Sequence, residues 1–204
     1  MRTHVALEHA SRLINHGPTV LVGSAAGGRR DVMAAAWSMP VEFVPPRIAV
    51  VIDKSTFSRE LVLAGGAFSL SVPCRALADL AFTVGSVSGR ELAEGPAPTD
   101  KFERYGIAAF DGPALGLPLV EGCVAWLECR LIAEPHAQQA YDTFFGEVVS
   151  AQADDRVFAN GRWSLRDDNA ELHTLHHLGA GRFAVAGPPV AARLLDPVPD
   201  REAP

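Results

Sequence analysis

Apolar runs in this sequence are short, and none, including Ile48 to Ile52, approaches the ~20 residues that span a bilayer. Residues 1–13 lack the hydrophobic core of a signal segment, so the expected location is the cytoplasm. Cysteine is sparse. Cys74, Cys123 and Cys129 are odd in number and contain no CxxC pair, which excludes a disulfide framework and suits small core hydrophobes in a reducing compartment. Positive charge is also in deficit, with 18 Lys and Arg against 24 Asp and Glu and a net charge of -6. That balance gives no general attraction to nucleic acid or to an anionic membrane, leaving only a local basic pocket open. Nucleophile motifs are missing too: no GxSxG occurs, and Cys74 follows Pro73 without a histidine beside it. Gly23 to Gly28 has neither GxGxxG spacing nor a P-loop ending and leads into a strand, so it is assigned only a turn.

What is present is a globular composition, 48% hydrophobic and 21% charged over 204 residues, read as one domain over 1–187. A surface tail with five prolines follows over 188–204. Ala6, Leu7, Ala10, Leu13 and Ile14 repeat at helical spacing before Gly17-Pro18, which predicts an opening amphipathic helix. Thr19 to Ala25 and Val32 to Phe43 read as two strands of a hairpin about Gly27 to Asp31. After Pro45-Pro46, the near-continuous apolarity of Arg47 to Asp53 predicts a strand covered on both faces and central in its sheet. Ser55 to Ala64 and Arg75 to Val84 read as helices, with Phe68 to Val72 as a strand. Residues 85–118 are rich in Gly, Pro and charge, predicting a long excursion with little regular structure. Cys123 to Ile132 alternates and should pair antiparallel with Thr143 to Ala151. Many strands without strict β-α alternation argue for a mainly β antiparallel barrel or sandwich with short flanking helices.

Four stretches could carry chemistry. Lys54, Ser55, Thr56 and Ser58 stand where a buried strand gives way to a helix start, as a phosphate cradle or as simple capping. Met33, Ala34, Ala35, Ala36, Trp37 and Ser38 form a small-residue strand that a flat ligand could approach, or one packed under a helix. Ser88, Arg90 and Lys101 place a hydroxyl and cations on the excursion, either to clamp a second phosphate-bearing ligand or as part of a solvated loop. Glu171, His173, His176 and His177 come nearest to a metal set, with His173 and His177 four apart as on a helix face. A zinc site needs further ligands that the sequence does not supply, so no metal is assigned.

In order and spacing these pieces resemble the flavin reductase-like, FMN-binding split-barrel family, from about Pro18 to Phe183. The resemblance rests on Pro18-Thr19-Val20, Asp31 to Trp37, Pro45-Pro46, Lys54 to Ser58 and Phe68 to Pro73. It continues through Gly85 to Arg90, Asp100-Lys101-Phe102, Phe145 to Val148 and Leu175 to Gly179. It implies a homodimer with FMN in a cleft near the subunit interface. A half-open barrel would itself leave an apolar face that twofold pairing covers. It further implies Met33, Ala34, Ala35, Trp37 and Ser38 along the flavin ring and ribityl chain, and Lys54, Ser55, Thr56 and Ser58 on its phosphate. Ser88, Arg90 and Lys101 would lie near the ligand mouth, and His177, the catalytic candidate, would approach the nicotinamide side. The implied activity is hydride transfer from NADH or NADPH to FMN, serving a partner monooxygenase, with an FMN-carrying electron-transfer protein as the alternative. The sequence departs from the family pattern over 91–99, which lengthens the segment between Arg90 and Asp100.

Overall fold

The computed structural model describes residues 2–13 and 17–194. Strand β1 (Arg2–His4) leads into a 3-10 helix over Leu7–Leu13, followed by β2 (Val20–Ala26), β3 (Arg29–Ala35), β4 (Ser38–Phe43) and β5 (Pro46–Val51). Helix α1 (Phe57–Gly65) precedes β6 (Ala67–Val72). Three helices follow: α2 (Ala78–Ser86), α3 (Gly89–Ala93) and α4 (Lys101–Arg104). Next come β7 (Ala109–Asp111), β8 (Pro118–Val120), β9 (Ala125–Ile132), α5 (Pro135–Ala140) and β10 (Thr143–Asp154). The short pairs β11 (Phe158–Ala159) with β12 (Arg162–Trp163), and β13 (Leu175–Gly179) with β14 (Arg182–Val185), close the described chain.

The main sheet runs β3-β2-β6-β9-β10-β5-β4, with β1 added on β10, and all its pairings are antiparallel. The expected mainly β antiparallel architecture is therefore present. Gly27 and Gly28 turn β2 into β3 with φ of +57° and +75°, a left-handed pair that glycine adopts without steric cost. Gly23 lies inside β2 and not in a turn. A Cβ there would stand 2.4 Å from both the Pro118 carbonyl oxygen and Ser69 Oγ, so the glycine is required by close strand packing.

β2, β6 and β9 are buried on both faces. Val20 and Val22 face the barrel interior with Phe68, Leu70, Leu127 and Phe144, while Leu21 joins a second core with Val32, Val84 and Trp126. The serines of β6 are satisfied in this setting. Ser69 Oγ donates to the Pro118 carbonyl at 2.7 Å, and Ser71 Oγ accepts from the Val120 amide at 3.1 Å, which pins β8 across the sheet. All three cysteines are buried, as expected of core residues, and burial pushes their thiols above the ordinary range.

Several local expectations change. The opening helix is 3-10 and buries Ala10 and Leu13, while Leu7 is exposed; Ile14 lies outside the described residues. The long strand Val32 to Phe43 divides at Ala36-Trp37 into β3 and β4. β5 is next to the edge strand β4, and the centre belongs to β6, β9 and β10, because sheet order is set by pairings remote in sequence. Residues 85–118 hold α3, α4, β7 and the start of β8 instead of an irregular loop. Of the expected tail over 188–204, residues 188–194 are exposed and 195–204 lie outside the described set.

Glu128 explains how the segment between β7 and β8 is ordered. Its carboxylate is wholly buried and accepts the amides of Ala114 at 2.8 Å and Leu115 at 2.7 Å. Glu128→Gln would turn an amide NH₂ toward one of those N–H donors, so a loss of about 1–3 kcal/mol is expected. Urea denaturation measures it as a lower midpoint at unchanged slope; an unchanged midpoint would show that the 112–117 turn holds without the carboxylate.

Candidate functional site

A cavity of about 360 Å³ opens between β3, the amino ends of α1 and α3, and the carboxyl end of α2. Thr56 caps α1 from extended backbone. Its Oγ1 accepts from the Arg59 amide at 3.4 Å and donates to the Asp53 carbonyl at 2.7 Å. Ser88 caps α3 in the same way, with Oγ accepting from the Glu91 amide at 3.4 Å. First-turn amides have no helical carbonyl before them, so two helix starts bring N–H groups and positive dipole ends to one cavity.

The floor is an ion pair. Lys101 is 2% exposed; its Nζ donates to the carbonyls of Val32 at 2.7 Å and Val84 at 3.0 Å, and stands 3.4 Å from Asp31 Oδ1. Burial lowers the Lys101 pKa, and the Asp31 charge opposes that shift. Asp31 Oδ2 accepts from Ser58 Oγ at 2.7 Å. Gly89 lies flat on this pair, since a Cβ there would stand 2.4 Å from Asp31 Oδ1.

A second cavity of about 210 Å³ shares Ala34, Gly85 and Ser86 with the first. Phe82 of α2 forms one wall, and His177 and Phe183 of the β13-β14 hairpin form the other, their rings 5.3 Å apart. The hairpin tip, Gly179-Ala180-Gly181, runs through φ of +96°, +49° and +71°. That tip brings Gly181 so close to Phe82 that a Cβ would meet its ring at 3.2 Å.

The structure brings together only part of the set singled out in the sequence. Met33, Ala34, Ser55, Thr56, Ser88 and Lys101 line the first cavity, and His177 lines the second. Ala35 points into the barrel core. Trp37 is 74% exposed, and the buried Ser38 Oγ has no hydrogen-bond partner among the described residues. Lys54 is exposed on the turn before α1 and lines neither cavity. Ser58 is fully buried and spends its hydroxyl on Asp31, because position two of α1 faces β3. Lys101 forms the floor instead of a mouth, and Arg90 Nη1 sits 3.1 Å from both Glu60 carboxylate oxygens, away from the cavity. Ser55 donates both N–H, at 2.8 Å, and Oγ, at 2.6 Å, to Asp53 Oδ1, which holds the Asp53 carboxyl below its usual range.

Sequence reading passed over Asp31, Phe57, Phe82 and Phe183. Asp31 carried a signal, a carboxylate entering an otherwise apolar strand; the aromatic residues carried none. The histidine cluster is not on a helix. His173 ends a 3-10 turn, buried with Nδ1 2.7 Å from the Ala186 carbonyl and Nε2 2.9 Å from those of Arg166 and the Asn169 side chain. His177 sits on β13, and His176 Nδ1 lies 2.7 Å from the Gly17 carbonyl. No helix among the described residues is long and apolar enough to cross a membrane.

This arrangement, a split antiparallel sheet with its cavity between β3, α1 and α3, is that of a flavin reductase-like protein. The chain belongs to the flavin reductase like domain family, whose model matches residues 12–175. It is 56% identical over 191 residues to the uncharacterized protein YddH of Escherichia coli (strain K12), covering 92% of this chain and 96% of that one. Among solved structures it is similar to the FMN-binding domain of a flavin reductases-like enzyme from Shewanella baltica OS155. That likeness has a TM-score of 0.87 and 40% identity over 95% of this chain and 98% of that one. The flavoredoxin of Desulfovibrio vulgaris (Miyazaki F) aligns with a TM-score of 0.69 and 27% identity over 86% and 90% of the two chains.

The floor gives a direct test. Lys101→Met leaves the Asp31 carboxylate buried without its cation, and a loss of about 3–5 kcal/mol is expected. Asp31→Asn combined with Lys101→Met removes both charges and should recover part of that loss. Denaturant melts of the two single variants and the double close the cycle; purely additive losses would show that the two charges are uncoupled.

Proposed function

We propose that this chain binds FMN, with the phosphate at the two helix starts capped by Thr56 and Ser88 and the ring along the small-residue strand from Met33 to Ser38. The observation that carries the reading is the convergence of those two starts on one cavity whose opposite wall is Met33 and Ala34. The donor set suits a phosphomonoester. The proton of Ser88 Oγ is not taken by the helix amide it caps, and first-turn amides add further donors; Lys54, exposed on the adjoining turn outside the cavity lining, would add an ammonium by swinging toward the bound phosphate. Small residues at Ala34 and Gly85, where a Cβ would come within 3.1 Å of Ala34, suit a planar group lying close to backbone. Similarity to the FMN-binding Shewanella domain supports the same reading.

Bound FMN would supply the hydride-accepting ring; the chain's own work is to hold and orient it. His177, Phe82 and Phe183 would shape the adjoining cavity for a second flat ring, the nicotinamide of NADH or NADPH, in an NAD(P)H:flavin oxidoreductase that serves a partner monooxygenase in the cytoplasm. The similarity to a flavoredoxin favours a second reading, an FMN-carrying electron-transfer protein without its own nicotinamide turnover. The functional unit is the single domain over 1–187.

Titrating FMN and riboflavin against wild type, Lys54→Ala and Ser88→Ala tests the phosphate site. Loss of the ammonium is expected to weaken FMN about ten- to hundredfold, and loss of the hydroxyl less, with riboflavin affinity little changed. Equal losses for both flavins would move the phosphate away from these residues. Steady-state oxidation of NADH and of NADPH by the FMN-loaded protein then separates the readings, since a carrier shows no saturable turnover.

The chain is proposed to act as a homodimer through β4. This strand ends the sheet path and exposes Met39, Val41 and Phe43, which with Trp37 just before it form an apolar edge that an isolated chain would leave in water. Light scattering should give twice the chain mass for wild type and the chain mass for Phe43→Glu. A wild-type monomer at micromolar concentration would remove the shared-cleft arrangement.

A further inference from the structure

His173 is 4% exposed, and the hydrogen-bonding atoms that its ring nitrogens meet are all acceptors. Nδ1 stands 2.7 Å from the Ala186 carbonyl, and Nε2 stands 2.9 Å from both the Arg166 carbonyl and Asn169 Oδ1. Which end of the Asn169 amide points at the ring is fixed by its other bonds. Nδ2 donates to the Ser164 carbonyl at 2.8 Å and the Arg156 carbonyl at 3.0 Å, while Oδ1 accepts the Arg166 amide at 2.8 Å. Turning the group over would set NH₂ against an N–H and oxygen against two carbonyls.

A neutral imidazole has one N–H and one lone pair, so either tautomer would press a ring lone pair against oxygen in a place closed to water. The imidazolium has two N–H groups, and both find acceptors here, which is the condition under which a buried charge recovers its desolvation. The ionisable groups on the surrounding elements are engaged elsewhere. On the turn that His173 ends, Asp168 pairs with Arg166 at 2.9 Å, Glu171 pairs with Arg75 of the 75–77 turn at 3.6 Å, and Asp167 is exposed. Arg156 holds Asp154 of β10, with Nε 2.9 Å from Oδ1. Burial keeps the Cys74 thiol above its ordinary range and so uncharged. The other imidazoles nearby are His176 and His177, on the hairpin itself.

The ring fastens both feet of the β13-β14 hairpin. His173 stands just before β13, with its carbonyl accepting the Arg75 amide at 2.8 Å, and Ala186 stands just after β14, with its amide donating to the Thr174 carbonyl at 3.0 Å. We infer that His173 carries a proton on both ring nitrogens and is a positioning residue for the His177 and Phe183 wall, an imidazolium clamp that holds the hairpin base at neutral pH and loosens it as the pH rises. The sign follows from the proton count. Free imidazole loses its second proton near about pH 6.5. Above that value an opened base releases the proton that the closed base keeps, so each further pH unit favours opening by up to about tenfold.

Long-range ¹H–¹⁵N correlation spectra of the wild-type protein near neutral pH test the protonation state, with the His173 ring assigned through its contacts to Ala186 and Asn169. A proton on both nitrogens is expected, and a single protonated nitrogen overturns the clamp. Hydrogen exchange across the range above about pH 6.5 tests the coupling to the hairpin. Protection factors, which remove the intrinsic pH dependence of exchange, should fall by up to about tenfold per unit at the Thr19, His177 and Ala186 amides and stay level in β9. An equal fall in β9 would mean that the whole fold opens, and the same fall in His173→Gln would assign the step to His176 or His177; either result overturns the clamp. Where His173→Gln does not fold, the wild-type spectrum decides. Neither readout uses flavin, so failure here is distinct from failure of the flavin reading.

Discussion

Lys101 and Asp31 are both almost wholly removed from water, and the cavity depends on how that burial is satisfied. A buried charge pair recovers its desolvation cost only when its remaining donors and acceptors are also bonded. Here the bonds come from separate parts of the chain: Val32 in β3, Val84 in α2, and Ser58 in α1. Lys101 itself opens α4. Holding one ion pair therefore fixes four elements around one point, with Asp31 Oδ1 facing only the Lys101 charge at 3.4 Å and Gly89 at the start of α3 fitted onto it. The convergence of two helix starts on the cavity follows from this, since α1 cannot shift without unbonding Asp31 and α3 is packed onto Asp31 through Gly89.

That same economy resolves the two readings of the residues before α1. Capping and ligand binding do not compete for every hydroxyl, because a cap uses the oxygen as an acceptor and leaves a proton to be placed. Thr56 places its proton on the Asp53 carbonyl, and Ser55 places its own on the Asp53 carboxylate, so both are committed to the turn. Ser88 caps α3 with its acceptor only, which makes it the hydroxyl best able to donate into the cavity.

Local pattern made most strands legible, because alternation and turn chemistry act over a few residues. The β2-β3 hairpin, α1, β6 and the β9-β10 pair all follow from such signals. Sheet order was not legible. Arg47 to Asp53 looked central because both its faces are apolar, but burial on both faces also arises one strand from an edge when a barrel curls over it. The site was half legible for the same reason. Residue types in the right stretches were visible, whereas the division between Ala34, which lines the cavity, and Ala35, which fills the core, depends on strand phase. Ser58 and Lys101 have the composition of ligand contacts, and only their burial against Asp31 shows that they build the floor.

The two walls of the cleft are held by different means. The side of the two helix starts is built onto the main sheet and its ion pair. The His177 side belongs to the β13-β14 hairpin, which is not part of that sheet. It is attached through the Thr19 amide on the Leu175 carbonyl at 2.7 Å, Thr19 Oγ1 accepting the His177 amide at 3.0 Å, and the bridge between Cys74 and Thr174. His173, clamped between the Arg166, Asn169 and Ala186 oxygens, anchors its base. Opening the hairpin would break a few hydrogen bonds and separate Phe183 from the half-exposed Phe82, while opening the floor would strand a buried charge. The lower free energy belongs to the hairpin.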